Sequence, residues 1–395
     1  MVTTKIITEL TDLNAASSTS GLKMPSGGAF SGTATEGMMR NDTSQSSQSS
    51  ASTMQFYNGT EWKNFLNLPG LVATENFSPL LYNGNGSSQV VTGLDFEPGL
   101  VWMKSRNSVN KNVLTNVIRG TDRQLFTDST DQESVNSNRI TSFNSNGFTI
   151  GSGDSRINSS GVTYVAWCWK AGGSPVTNNV GTIPSQVSAN PDAGFSIVEF
   201  TSPSSGVATI GTGLNTQVKL IISKVTNTIA DWPVFADGFD TTDYILVNSS
   251  AAKVDHSSDL WNLSNWSDTT FGCHRDMYGT SNNVIAYCFH DVAGYQKIGT
   301  YTGNGSTTGP TITTGFSPRF LMIKKINGTG SWYMYDNLRS TSNPRNSVLQ
   351  ANETAIESTN AYANLDFLPT GFQLKTTNSE FNGSSSDTYL YLAIA

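Results

Sequence analysis

The stretch YVAWCW, Tyr164 to Trp169, has two counterparts later in the chain. VIAYCF covers 284–289, and LYLAI covers 390–394. Large apolar residues alternate with other residues in all three stretches, so the large side chains share one face of a strand. The corresponding large residues are Val165, Trp167 and Trp169, then Ile285, Tyr287 and Phe289, then Leu390, Leu392 and Ile394. We therefore predict a buried strand at the end of each of three repeats.

The cysteine between the two tryptophans lies on the opposite face of that strand. Cys168 corresponds to Cys288 in the second stretch and to Ala393 in the third. Replacement by alanine is poor support for a required thiol. We predict that Trp167 and Trp169 are buried in a core and that Cys168 is unreactive.

Other segments repeat in the same order. Each repeat contains a short apolar run with a lysine at or near its end: LVWMKS (100–105), KLIISK (219–224) and FLMIKK (320–325). Further matches are YNGNGS (82–87) with YTGNGS (301–306), and DWPVFADG (231–238) with SWYMYDNL (331–338). Helical periodicity is nearly absent, and Asn, Gly and Ser mark the turns. This pattern is typical of an antiparallel β-sandwich.

We predict an all-β chain with three tandem antiparallel β-sandwich units of the jelly-roll or concanavalin-like kind. A small N-terminal region precedes them, with a Ser-rich run at 44–53 and a hairpin around Asn58-Gly59. This region is expected to attach the protein to a particle or to sister subunits. The predicted boundaries are 1–70 for that region, 71–173 for repeat 1, 174–191 for a linker, 192–291 for repeat 2 and 293–395 for repeat 3.

Composition excludes several classes of function. The net charge of the 395 residues is −7, and no basic patch is visible, so we expect no nucleic-acid partner. No apolar run reaches the roughly 18–20 residues that span a membrane, so no membrane insertion is expected. Three cysteines argue against a disulfide framework. The first residues lack the pattern of a secretory signal, which predicts synthesis in a cytosol.

Repeat 1 resembles a module of tail-fibre-like and other virion proteins of marine bacteriophages. The matching residues are Tyr82 to Gly86, VWMKSR (101–106), Arg119-Gly120, Asn146-Gly147-Phe148, Asn158 and YVAWCWKAGG (164–173). GLKMPSG (21–27), EGMMRND (36–42) and FYNGTEWKNF (56–65) are similar to an element near the N-termini of phage fibre and appendage proteins. That element usually reads something like GMIRYNT followed by YNGTxW, whereas a Ser/Gln-rich run replaces its middle here. The resemblance implies an oligomeric virion component with lectin-like modules, and its motifs carry no catalytic residue.

No catalytic constellation is evident from the sequence. The three histidines, His256, His274 and His290, have no Ser-His-Asp or HExxH spacing, and no phosphate-binding glycine loop is present. A carboxylate pair of the glycosidase type, with its members distant in the chain, stays open as an alternative. We predict a protein that is not an enzyme and has no cofactor.

Two groups of side chains resemble metal sites, and each has a simpler interpretation. Cys273, His274, Cys288 and His290 are residue types that zinc accepts, but Cys288 matches Cys168, which has no histidine nearby. Buried thiols beside surface histidines are the favoured interpretation. Asp237, Asp240 and Asp243 form a weak calcium candidate, with a solvated turn favoured instead.

Glycan binding needs aromatic rings that stack on sugars beside side chains that bond to hydroxyls. The candidates are Trp232, Trp261, Trp266 and Trp332, which lie near Asn, Asp and Ser. The competing interpretation places most of them in a core or a subunit interface, because burying a Trp stabilises by about 2–3 kcal/mol.

The resemblance implies a bacteriophage virion protein, found in the virion and assembled in the host cytoplasm. The main hypothesis is a tail fibre or appendage that presents β-sandwich modules to a host surface polysaccharide. The alternative is a capsid decoration or head-fibre protein with a structural role and no receptor. Other virion proteins are the expected partners, and a homotrimer is the expected oligomer.

Overall fold

A computed structural model of the chain describes residues 39–42, 53–57, 62–64, 71–152 and 154–395. The chain divides into two compact units, 1–72 and 73–395. The N-terminal unit contains an antiparallel sheet in the order β1-β2-β3, formed by β1 (Met39–Asp42), β2 (Thr53–Tyr57) and β3 (Trp62–Asn64). Tyr57 pairs with Trp62, which confirms the predicted hairpin. Residues 44–52 of the Ser-rich run and most of the predicted attachment region lie outside the described residues.

Repeat 1 packs a large sheet on a small one. Its strands are β4 (Phe77–Asn83), β5 (Gln89–Thr92), β6 (Leu100–Ser105), β7 (Val113–Asn116), β8 (Gly120–Phe126), β9 (Ser134–Val135), β10 (Ile140–Asn144), β11 (Gly147–Ile150) and β12 (Thr163–Trp169), with a single-turn helix α1 (Ser155–Asn158). The large sheet has the order β4-β12-β6-β7-β8-β9, and the small sheet has the order β10-β11-β5. Between them lies a core that includes Val91, Phe148, Met103 and Cys168.

Repeat 2 has the same plan with extra strands. Its strands are β13 (Val176–Asn178), β14 (Ser185–Asn190), β15 (Phe195–Thr201), β16 (Val207–Gly211), β17 (Leu220–Val225), β18 (Pro233–Ala236), β19 (Asp243–Leu246), β20 (Val254–Asp255), β21 (Thr270–His274) and β22 (Asn283–Phe289), with helix α2 (Arg275–Tyr278). The large sheet has the order β13-β14-β15-β22-β17-β18-β19-β20, and β16 pairs with β21.

Repeat 3 returns to the plan of repeat 1. Its strands are β23 (Gln296–Thr302), β24 (Thr311–Thr313), β25 (Phe320–Lys325), β26 (Trp332–Asp336), β27 (Ser347–Gln350), β28 (Ser358–Thr359), β29 (Leu365–Leu368), β30 (Gly371–Leu374) and β31 (Thr388–Ile394), with helix α3 (Ser379–Asn382). The large sheet has the order β23-β31-β25-β26-β27-β28, and the small sheet has the order β24-β30-β29. The chain is therefore all-β, with antiparallel sheets of the sandwich class.

The segment 174–191 is a correction to the prediction of a linker. It contains β13 and β14, and β14 pairs along its whole length with β15. Short polar side chains and interspersed Gly and Pro concealed the alternation that identifies a strand. The segment extends the sheet of repeat 2 and belongs to the same compact unit as all three repeats.

The two faces of strand β12 belong to two different cores. Trp167 is fully buried and Trp169 is 2% exposed, which confirms their predicted burial. Their rings contact Phe320 of repeat 3, with centroid distances of 6.0 and 5.9 Å. The large-residue face of the strand therefore packs between repeats, while Ala166 and Cys168 belong to the core inside repeat 1.

The three repeats close into a ring through equivalent backbone contacts. The amide N–H groups of Asn110, Ala230 and Gly330 donate to the carbonyl oxygens of Thr354, Thr130 and Ser250, at 3.2, 3.0 and 2.9 Å. A second set of amide N–H groups donates across the same junctions: Glu357 to the Arg106 carbonyl at 2.7 Å, Glu133 to the Thr226 carbonyl at 2.8 Å, and Lys253 to the Ile326 carbonyl at 2.7 Å. Repeat 1 thus joins repeat 3, repeat 3 joins repeat 2, and repeat 2 joins repeat 1. The chain builds a pseudo-threefold assembly from its own repeats.

One buried lysine per repeat crosses each of these junctions. Lys104, Lys224 and Lys324 occupy equivalent strand positions, and none is exposed. Their Nζ groups donate to Thr354, Thr130 and Ser250, the carbonyls that also accept the backbone bonds above, at 2.8, 3.2 and 3.2 Å. Burial lowers the pKa of each lysine to about 8. The apolar runs with a terminal lysine are therefore a junction motif.

Candidate ligand-binding groove

Three of the four predicted glycan-binding tryptophans are buried, so the prediction that they stack on a sugar is wrong. Trp232 and Trp261 are fully buried, and Trp332 is 1% exposed. The indole N–H of Trp232 donates to the Phe126 carbonyl of repeat 1 at 2.9 Å, and that of Trp332 donates to a repeat 2 carbonyl at 2.8 Å. These two residues seal the junctions between repeats, as the competing interpretation anticipated.

The remaining tryptophans form part of the repeat 2 interior. Trp261 donates its indole N–H to the Asp243 carbonyl at 2.7 Å. Trp266 is partly exposed, but its ring packs against Phe235 at a centroid distance of 4.6 Å and its N–H donates to the Trp261 carbonyl. Trp266 is therefore not an open platform for a sugar ring.

The weak calcium candidate is not assembled. The Asp243 carboxylate is buried and accepts hydrogen bonds from Lys253 and from the Asp240 amide. Asp237 pairs with Lys219 at 3.0 Å. The carboxylates of Asp237 and Asp243 are thus engaged by lysines and a backbone amide. No group of three or more metal-binding side chains occurs in the part of the chain that the structure describes.

The residues of the zinc alternative have other roles. Cys273 and Cys288 are buried free thiols, and burial raises the pKa of both. The His274 Nδ1 accepts from the Asp276 amide and caps α2. Cys168 is likewise buried, and burial raises its pKa, which agrees with the prediction of an unreactive thiol.

A polar groove of about 460 Å³ lies between repeats 1 and 2. It is lined by Ile118, Arg119, Arg123, Gln132, Glu133, Glu199, Thr226, Asn227 and Asn283. The first five come from the β7–β9 side of repeat 1, and the last four come from β15, β22 and the loop after β17 of repeat 2. Two separate repeats thus bring charged and amide side chains together.

An ion-pair network fixes one side of this groove. Glu133 accepts from Arg119 at 2.7 Å and from Arg123 at 2.5 Å. The Arg119 side chain is 1% exposed, whereas the Arg123 side chain is 49% exposed. A buried arginine and a solvent-facing one therefore hold the carboxylate in a defined orientation.

The second carboxylate in the groove, that of Glu199, is different. No hydrogen bond or ion pair from another described residue reaches it. Burial raises the pKa of the Glu199 carboxyl, and the nearby Arg119 partly opposes the rise. A half-buried carboxylate without a partner, held on a strand, can accept hydrogen bonds from a ligand.

At the other junctions a different residue stands at the position of Thr226. Between repeats 3 and 1, Arg106 binds Glu357 through two bonds of 2.9 and 2.8 Å, and Arg339 adds a third at 3.1 Å. Glu357 corresponds to Glu133, and Arg106 corresponds to Thr226, because each pair shares the same interrepeat backbone bond. At the groove, threonine therefore replaces the arginine that occupies this space between repeats 3 and 1.

Sequence reasoning missed the groove for a physical reason. Its residues are up to 165 positions apart, as the span from Ile118 to Asn283 shows. The threefold alignment does show that one position differs between the repeats. Two positions after the junction lysine, repeat 1 has arginine, repeat 2 has threonine and repeat 3 has isoleucine. Only the ring closure shows that this position faces the neighbouring repeat.

The comparisons with known proteins concern this same compact unit. Residues 73–395 match a family described as a domain of unknown function, DUF7483. The chain belongs to this family. No curated protein and no solved structure matches the chain. The match spans all three repeats, so the ring as a whole is the DUF7483 domain. Among the described residues, no helix has the length and apolar character needed to span a membrane.

Proposed function

We propose that this chain is a non-enzymatic bacteriophage virion protein, a tail fibre or related appendage, that attaches to a host surface polysaccharide. In this proposal the N-terminal region joins other virion proteins, and the DUF7483 domain faces the host. Avidity from several copies on one particle would raise a modest affinity for each site. The sequence resemblance of repeat 1 and of the N-terminal element to phage appendage proteins motivates the setting.

The groove between repeats 1 and 2 carries the binding part of the proposal. Its side chains include hydrogen-bond donors and acceptors of both charges together with amides. Sugars are recognised through many hydroxyl groups, each of which both donates and accepts. A rigid ring supports the groove, and rigid scaffolds lose less entropy on binding. The four predicted tryptophans take no part in this site, since three are buried and the Trp266 ring packs against Phe235.

Host adsorption tests the proposed attachment. Fluorescently labelled full-length protein should bind cells of the host on which the virion is propagated, and excess unlabelled protein should reduce phage adsorption. Periodate treatment of the cells, which cleaves vicinal diols of sugars, should remove the binding. Failure to adsorb and failure to block infection would together contradict the attachment role.

Location on the particle distinguishes the two structural settings. Immunogold labelling or a cryo-EM map should place the protein on the tail or its appendages. Density on the capsid, combined with no adsorption to cells, would instead support a decoration or head-fibre protein. The homotrimer also remains part of the proposal, and light scattering on the purified full-length protein measures it directly.

A further inference from the structure

We propose that the groove between repeats 1 and 2 binds a neutral, hydroxyl-rich saccharide, and that Thr226 and Glu199 determine this specificity. The inference rests on the proposed polysaccharide attachment and names its site and ligand class. It follows from comparing the three junctions, which share a backbone plan but differ in their side chains.

Space at the junction is the first argument. At the repeat 3–repeat 1 junction, the Arg106 side chain extends to Glu357 and is 25% exposed. At the repeat 2–repeat 3 junction, the same position is Ile326, which is 9% exposed. The short side chain of Thr226 bonds locally, with its hydroxyl donating to the Asn283 carbonyl at 3.3 Å. The space that a long side chain occupies elsewhere is left to the groove.

The unpaired carboxylate is the second argument. Strand pairing makes Glu199 equivalent to Leu81 in repeat 1 and to Thr300 in repeat 3, since all three pair with equivalent positions of the closing strands. Only repeat 2 places a carboxylate there, beside the groove that Thr226 opens. Retaining an unpaired carboxylate in a half-buried position is costly unless a ligand or solvent satisfies it.

Charge balance selects the ligand class. Arg119 and Arg123 are matched by Glu133 and Glu199, so the four charged side chains sum to zero. Glu133 neutralises part of the charge of both arginines, and the carboxylates of Glu133 and Glu199 would both repel a further anion in the groove. Uncharged hydroxyl groups can instead donate to Glu199 and accept from the exposed Arg123. We therefore infer a neutral saccharide rather than an acidic one.

Affinity electrophoresis of the full-length protein tests the inference. Native gels would contain mannan, dextran or laminarin as neutral probes and alginate as the acidic probe. At least one neutral probe should retard the wild-type protein, and alginate should retard it much less. Thr226→Arg should weaken binding by about tenfold or more, because it restores the arginine that fills the equivalent site. Glu199→Gln should weaken binding by about tenfold through loss of a charged acceptor.

Thr300→Arg is the matched control. Like the other two variants, it makes the net charge more positive by one. The change lies at Thr300, the exposed equivalent of Glu199 in repeat 3, so binding should equal that of the wild type. Thermal unfolding of every variant checks that the ring is intact. Unchanged binding by Thr226→Arg, or preference for alginate, would overturn the inference while leaving attachment intact. If the protein adsorbs to host cells but no neutral probe retards it, the inference about the groove is also overturned. If the protein does not adsorb to host cells, the proposed function itself fails.

Discussion

At the residue scale, the junction lysines show how position overrides the usual preference of a charged side chain for solvent. Lys224 lies in a strand of otherwise buried residues, and its amine donates to carbonyls of two repeats at 3.2 and 2.6 Å. Removing a charge from water is costly, and the lowered pKa of Lys224 records that cost. The carbonyls supply partners, so the amine is satisfied although it is buried.

The pKa of Lys224 predicts a pH-dependent contribution to stability. The folded value of about 8 lies below the unfolded value of 10.5, so the unfolded chain binds more protons between these pH values. The free energy of unfolding should therefore rise with pH in this window, by at most about 1.4 kcal/mol per pH unit for one lysine. Lys224→Met removes this gain, so the stability of the wild type relative to the variant should increase from pH 8 to pH 10.

Urea denaturation of both proteins at several pH values measures this difference. Comparing the two proteins cancels the titration of tyrosines and cysteines that they share. Variants at the equivalent Lys104 and Lys324 should show the same dependence. A difference between wild type and variant that does not change with pH would show that the lysine titrates normally in the fold.

At the element scale, short strands and loops acquire their order from the neighbouring repeat. Strands β9, β20 and β28 contain two residues each, which is too few to be stable alone. The residue before each of them donates its amide to a carbonyl at the end of the central strand of the next repeat. The sheet edges are thus covered, which limits pairing with other chains.

Hydrogen exchange should reveal this dependence. The amides of Glu133, Lys253 and Glu357 lie at strand edges but donate across the junctions, so they should exchange slowly and at similar rates. The exposed turn at Asn215 and Thr216 provides the comparison and should exchange rapidly. Exchange measured by mass spectrometry or NMR tests the pattern. Rapid exchange at one junction only would indicate that the ring opens there.

At the scale of the whole molecule, the ring is the folding unit. Repeats 1 and 3 each have a sandwich core of their own. The large residues of the three closing strands instead meet residues of the other repeats. Trp102, Trp167 and Trp169 of repeat 1 are all nearly or fully buried only because the other repeats cover them. A separated repeat would expose a large aromatic surface.

This packing predicts that residues 73–173 do not form a stable monomer when separated from the rest. Exposing the three tryptophans costs several kcal/mol, which is comparable with the total stability of a domain. Size-exclusion chromatography and thermal unfolding should show aggregation or no cooperative transition for this fragment. The fragment 73–395 is the control and should unfold cooperatively. A monomeric 73–173 with a sharp transition would contradict the ring as a single folding unit.

The sequence by itself determined the closing strands of the repeats, the hairpin turn at Asn58-Gly59 and the threefold repetition of this protein. Alternation of large and small residues is a local property, so the strand YVAWCW and its counterparts were predicted with the correct faces. The linker was misjudged because polar residues conceal the alternation of β13 and β14. For Trp232 and Trp332 the sequence allowed two interpretations, a sugar-binding ring or a buried residue. Polar residues flank a tryptophan in both cases, so the sequence did not distinguish them.

Only the tertiary structure decided what the large faces pack against and where a ligand site forms. The groove exists because ring closure brings Glu133 of repeat 1 beside Glu199 and Thr226 of repeat 2. Pairwise contacts between distant segments leave no local periodicity, so no window of the sequence contains them. The sequence therefore specifies the repeats, whereas the junction between two of them creates the site.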